Sequence, residues 1–204
     1  MKGIIDFLIS SAPEARVLRE HFVFKIVPML NPDGVINGNY RCSLVGQDLN
    51  RRWKTSSKTL HPENFAVKRM VRQFKKERDV VLYLDLHGHS RKKNIFMYGN
   101  NFLDVPHSTR VFPYLMSKLC DYFSFEDSRF SNNLSKESTA RVSMWRELQI
   151  PNVFTMEASF CGADKGEHQD QHFNTDHLMK VGQSVLMALL IYCRIDVDKK
   201  IQEF

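Results

Sequence analysis

Two apolar runs each lead into a side chain able to do chemistry. In VVLYLDLHGHS, Val80–Ser90, the run passes Asp85 and arrives at His87. In VFTMEASF, Val153–Phe160, it arrives at Glu157. A neutral imidazole is a common protein ligand for zinc. A carboxylate at the dry end of an apolar strand is costly unless it is paired or working, and burial raises its pKa towards that of a general base. Each residue also has a plainer reading, His87 as a hydrogen-bonded turn residue and Glu157 as the partner of one of the 29 Lys and Arg side chains. A third segment, NPDGVINGNYRCSLVGQDLNRRW (Asn31–Trp53), carries Arg41, Asn50, Arg51 and Arg52 among turn-forming residues. Arginine grips a carboxylate through two parallel hydrogen bonds, and asparagine adds a neutral donor, so this loop suits an anionic ligand. Arg52 fits a solvated surface equally well.

These residues need elements to hold them. Met1–Ser10 reads as the tail of a helix, and Pro13–His21 as a short helix with Ser11 as N-cap. Phe22–Val27 reads as a strand, Asn31–Trp53 as a long loop, and Pro62–Glu77 as an amphipathic helix with Val67, Met70, Val71 and Phe74 near helical spacing. Strands are expected at Val80–Leu86, Ile95–Tyr98 and Val153–Met156, and helices at Val111–Tyr122, Ala140–Leu148 and Thr175–Arg194. This order predicts an α/β fold with a mostly parallel sheet covered by helices on both faces. Ligands in such sheets bind beyond the carboxyl ends of the strands, which singles out Asn31, His87 and Glu157.

The totals narrow the function. The 204 residues suit one domain, and 43% hydrophobic content supports an ordinary core. No apolar run reaches the roughly 18 residues of a membrane span. Four widely spaced cysteines form no C-x-x-C pair, which favours free thiols and the cytosol over a disulfide scaffold. The net charge of +6 suits acidic partners, while the basic stretches lack the interleaved aromatics that stack on bases, so no nucleic acid is expected.

Together, NPDGV, GNYRCSLVGQDLNRRW, LDLHGHS, NIFMYGN and TMEASFCG resemble the zinc metallocarboxypeptidases, and within them the cytosolic carboxypeptidase subfamily. The resemblance runs from about Phe22 to Cys193. It implies a mixed, mainly parallel sheet flanked by helices and one catalytic zinc, with His87 as a ligand, Glu157 as general base and Arg41 steadying the oxyanion. It also implies that Asn50 and Arg51 grip the substrate's terminal carboxylate. It further implies removal of C-terminal or side-chain glutamates from acidic tails, with glutamylated tubulin as the expected partner and a cytosolic, microtubule- or cilium-associated location. Lys136 and Arg141 are the candidates for the basic pocket that glutamate requires; ordinary surface charge is their plainer reading. Tyr98 and Tyr114 are both available as a phenol near the substrate.

The resemblance also has a gap. The family's zinc needs a histidine and a glutamate from an H-x-x-E segment, and none of the eight histidines has glutamate three positions later. His61-Pro62-Glu63 puts the glutamate one residue too near. The expectation is therefore a partial catalytic domain over residues 1–204, lacking its first strands and two zinc ligands and inactive alone. The alternatives are a non-catalytic module that binds acidic tails and an inert truncated isoform.

Overall fold

The strands sort their residues by alternation, and that sorting builds the molecule. The structure, a computed structural model, describes residues 1–202 except Leu103 and Pro106. Its sheet has four strands: β1 (Tyr83–His89), β2 (Ile95–Gly99), β3 (Arg129–Phe130) and β4 (Val153–Ser159), in the order β1-β4-β2-β3. β1 runs parallel to β4 and β2 parallel to β3, while β2 and β4 are antiparallel. The sheet is thus mixed and mainly parallel, as the resemblance implies.

Helices cover both faces. On one lie α1 (Lys2–Leu8), α2 (Pro13–His21), α5 (Val111–Leu119) and α7 (Thr175–Tyr192). Their residues Leu8, Leu18, Met116 and Val185 share a core with Ile95, Met97, Phe154 and Met156. On the other face lie α4 (Pro62–Glu77) and α6 (Ala140–Leu148), where Val71, Ala140, Met144 and Leu148 pack with Trp53 and Val153. Proline opens α2, α4 and the short α3 (Pro32–Asn37), where its missing N–H costs nothing and its fixed φ is already helical. Asn174 caps α7 with a capping box closed by His177. A last helix, α8 (Val197–Gln202), ends the described chain.

Several expectations are corrected. Phe22–Val27 is not a strand. Phe22 and Phe24 turn into the core while Val23 and Lys25 face out, so the alternation is there, but no described strand lies alongside to complete a ladder. The Asn31–Trp53 loop contains α3 and a 3₁₀ turn over Leu49–Arg51. The N-cap of α2 is Ala12, without a side-chain bond, and Ser10 rather than Ser11 bonds its N–H. β1 continues past His87 to His89 and stands at the edge of the sheet, with β4 as its one ladder partner among the described residues.

Candidate active site on the polar face of the sheet

The parallel register of β1 and β4 sets Asp85 beside Thr155 and His87 beside Glu157. The antiparallel register of β4 and β2 adds Tyr98 beside Thr155 and Phe96 beside Glu157. Side chains alternate along a strand. The even-numbered Leu84, Leu86, Phe154 and Met156 fill the core against α5 and α7. The odd-numbered Asp85, His87, Thr155 and Glu157 therefore share the face on which α4 and α6 pack. A single register choice collects the imidazole and both acids.

Their electrostatics follow from proximity in a partly dry setting. Asp85 Oδ2 lies 2.9 Å from His87 Nε2. That bond leaves Nδ1 as the open ring nitrogen, with no partner among the described residues. Burial opposes protonation of His87, but the hydrogen bond and charge of Asp85, with the charge of Glu157, outweigh it and raise the pKa. Glu157 is 9% exposed. Burial raises its pKa above the usual carboxylate value, Asp85 adds to the rise, and His87, Arg41 and Lys136 oppose it. The charges of Arg41 and Lys136 thus reach the carboxylate from two different loops.

Asp48 couples Arg41 to the segment that carries Asn50. One of its oxygens lies 3.0 Å from Arg41 Nε. The other accepts the Asn50 N–H at 2.9 Å and caps the 3₁₀ turn Leu49–Arg51. Asn50 Oδ1 accepts the Ala140 N–H at the start of α6 at 3.1 Å. The carboxamide is thereby oriented, and its NH₂ has no partner among the described residues. The Arg51 guanidinium donates to its neighbour's carbonyl, Asn50 O, at 2.9 Å. Asn31 has a local task instead: its side chain accepts from Gly34 N and donates to Cys42 O, bracing α3.

The two candidates for a basic pocket differ sharply. Lys136 is exposed, in a 3₁₀ turn over Leu134–Lys136. Arg141 is 6% exposed, and one of its terminal nitrogens donates to Gly99 O, Asn100 Oδ1 and Ser131 O at 2.5, 2.7 and 3.2 Å. Burial lowers its pKa to about 10. Part of Arg141 is thus committed to joining α6 to the end of β2. Of the two phenols, Tyr98 shares the site face, and burial raises its pKa with the Glu157 charge adding to the rise. Tyr114 sits on α5, half exposed, against Phe125.

Asp85, which the sequence places as framing for His87 rather than as a further ligand, bonds it directly, whereas the bridging by Asp48 has no counterpart in the sequence. The i, i+2 spacing of Asp85 and His87 within an apolar strand was a usable signal for the first. Nothing in the sequence marks the second, because the Arg41–Asp48 approach depends on how the loop closes.

A zinc ion needs three protein ligands and an open position. Among the described residues, no three His, Cys, Asp or Glu side chains converge to hold a metal. His87 offers one nitrogen. The donor set of these residues does not fit a complete zinc site.

A mixed sheet flanked by helices, with an imidazole and a carboxylate in register and an arginine–asparagine segment nearby, defines the metallocarboxypeptidase class. The zinc carboxypeptidase family, peptidase family M14, matches residues 2–185, and the chain belongs to that family of hydrolases. More particularly, it is 47% identical to cytosolic carboxypeptidase 3 of Bos taurus over 99% of this chain and 20% of the relative. It is 48% identical to cytosolic carboxypeptidase 2 of Homo sapiens over 98% of this chain and 22% of the relative. The chain thus spans about a fifth of the length of the curated relatives it matches. The metallo-carboxypeptidase of Burkholderia cenocepacia shares its fold, with a TM-score of 0.80 at 22% identity over 94% of this chain and 52% of that one. These relatives are named cytosolic, and no helix among the described residues is long and apolar enough to cross a membrane.

Proposed function

We propose that this chain is the substrate-side portion of a zinc carboxypeptidase that removes glutamates from the acidic C-terminal or side-chain tails of proteins such as tubulin. The observation that carries this reading is the pairing of His87 with Glu157 in register, with Arg41 and Lys136 both acting on the Glu157 carboxylate. In this proposal the free NH₂ of Asn50 and the guanidinium of Arg51 receive the terminal carboxylate of the tail. Only a chain end offers that group, which makes the reaction exopeptidic. Glu157, its pKa raised by burial, takes the proton of the attacking water. Arg41 faces the oxyanion that develops on the scissile carbonyl. Lys136, and the part of Arg141 not committed to Gly99, Asn100 and Ser131, supply positive charge for a glutamate side chain. The net charge of +6 favours approach of an acidic tail, and with it a location at microtubules or cilia.

His87 would be one ligand of the family's zinc, and no H-x-x-E segment to supply the others occurs in these 204 residues. The chain alone is therefore proposed to bind acidic tails without cutting them, which is also the second reading, that of a non-catalytic tail-binding module. Glutamate release from a Glu-tailed peptide, followed with and without chelator, tests this. The expected result is no release by the 204-residue chain, substoichiometric zinc, and peptide binding that weakens as salt rises. A form extended upstream through an H-x-x-E segment is expected to hold about one zinc and to release glutamate. Chelator-sensitive release by the 204-residue chain would overturn the proposal of inactivity. Absence of zinc and activity in the extended form would favour the tail-binding module.

A further inference from the structure

α4 spends two buried polar side chains on the segment that carries Asn50 and Arg51. Asn64 and Lys68 are 0% and 3% exposed. They stand four residues apart, one helical turn, on the same face. Asn64 Nδ2 donates to Leu49 O at 2.7 Å. Lys68 Nζ donates to Trp53 O at 2.6 Å. These two carbonyls bracket Asn50, Arg51 and Arg52. Asn64 Oδ1 has no partner among the described residues, so the bond to Leu49 is what orients this carboxamide. Lys68 also meets Glu147 Oε1 of α6 at 2.9 Å, and Arg72 meets Glu147 Oε2 at 3.0 Å. α6 in turn donates the Ala140 N–H to Asn50 Oδ1. The segment is thus pegged at both ends by one helix and from the side by another.

Burying an ammonium group is expensive, and an apolar side chain of similar length would fill the same volume at lower cost. A cost of that kind is understandable where it fixes the geometry of a binding segment, since small displacements of a binding group are amplified in its affinity. We propose that Asn64 and Lys68 are positioning residues. They hold the Leu49–Trp53 segment so that the Asn50 NH₂ and the Arg51 guanidinium present together to one carboxylate. This rests on the reading of Asn50 and Arg51 as the carboxylate clamp.

The test compares a Glu-ending peptide with its C-terminal amide, titrated against the 204-residue chain, and follows backbone amide exchange alongside. The unaltered chain is expected to prefer the free carboxylate. Lys68→Met and Asn64→Leu preserve side-chain bulk and are each expected to reduce that preference about tenfold, the scale of one lost charge-assisted hydrogen bond. Exchange at Arg51, Arg52 and Trp53 is expected to speed up while exchange in β4 stays unchanged. Lys68→Arg, which keeps the charge and a donor, is expected to restore most of the preference. Undiminished preference in both variants with an intact β4 would overturn the positioning role while leaving the clamp standing. Equal binding of acid and amide by the unaltered chain would overturn the clamp reading and the positioning role with it.

Discussion

At the residue scale, Asn50 has two separable jobs. Its side-chain oxygen accepts the first N–H of α6, and its NH₂ is the donor that the proposed carboxylate clamp would use. Asn50→Asp keeps an acceptor for the Ala140 N–H but replaces the donor with a negative charge. It is expected to abolish the preference for a free C-terminal carboxylate in peptide titrations while leaving the denaturation midpoint nearly unchanged. Asn50→Ala removes both groups and leaves the Ala140 N–H without its partner. It is expected to lower stability by about 1 kcal/mol as well. Equal stability losses in the two variants would mean that the cap does not depend on this oxygen.

At the element scale, the crossing of α1 and α7 depends on two glycines. A Cβ on Gly3 would lie 2.2 Å from Met179 O, and one on Gly182 would lie 2.7 Å from Ile4 N. The obstacles are backbone atoms, which cannot swing aside. Gly182→Ala should force the helices apart and cost about 1–3 kcal/mol in urea unfolding, despite alanine's better helix propensity. A variant as stable as the parent would show that the crossing adjusts freely. The crossing matters for function because α7 supplies Val181, Val185 and Leu189 to the core beneath β4, the strand that holds Glu157.

At the scale of the whole molecule, the chain between residues 23 and 44 leaves much apolar surface exposed. Val23, Met29, Val35, Ile36, Tyr40 and Leu44 are each more than half exposed, and among the described residues β1 has an open edge on the sheet. Apolar surface and an unpaired strand edge both favour association. The purified chain is expected to bind a hydrophobic dye and to scatter light increasingly with concentration. Ile36→Lys, at a position 80% exposed, should reduce both signals without lowering stability. A chain that remains monomeric and dye-silent at high concentration would contradict this.

The sequence by itself determined the elements and the short-range chemistry. The α4 and α6 spans follow from helical spacing, the α/β class from the order of elements, and His87 and Glu157 from the apolar runs that lead to them. The motifs of the Asn31–Trp53 segment and the absence of an H-x-x-E segment are likewise properties of the chain alone. Tertiary structure decided what depends on partners distant in sequence. Phe22–Val27 has the alternation of a strand, but a strand also needs a neighbour, and alternation cannot supply one. The 3₁₀ turn that presents Asn50 is capped locally by Asp48 but held in place by Asn64 and Ala140, which no local pattern connects. Ordinary surface charge was the plainer reading of Arg141, and nothing in the sequence singles out Lys68. Both are buried by packing and satisfied by carbonyls far along the chain. The pairing of His87 with Glu157 is the decisive case: each residue was visible alone, but only the register of β1 against β4 puts them side by side on one face.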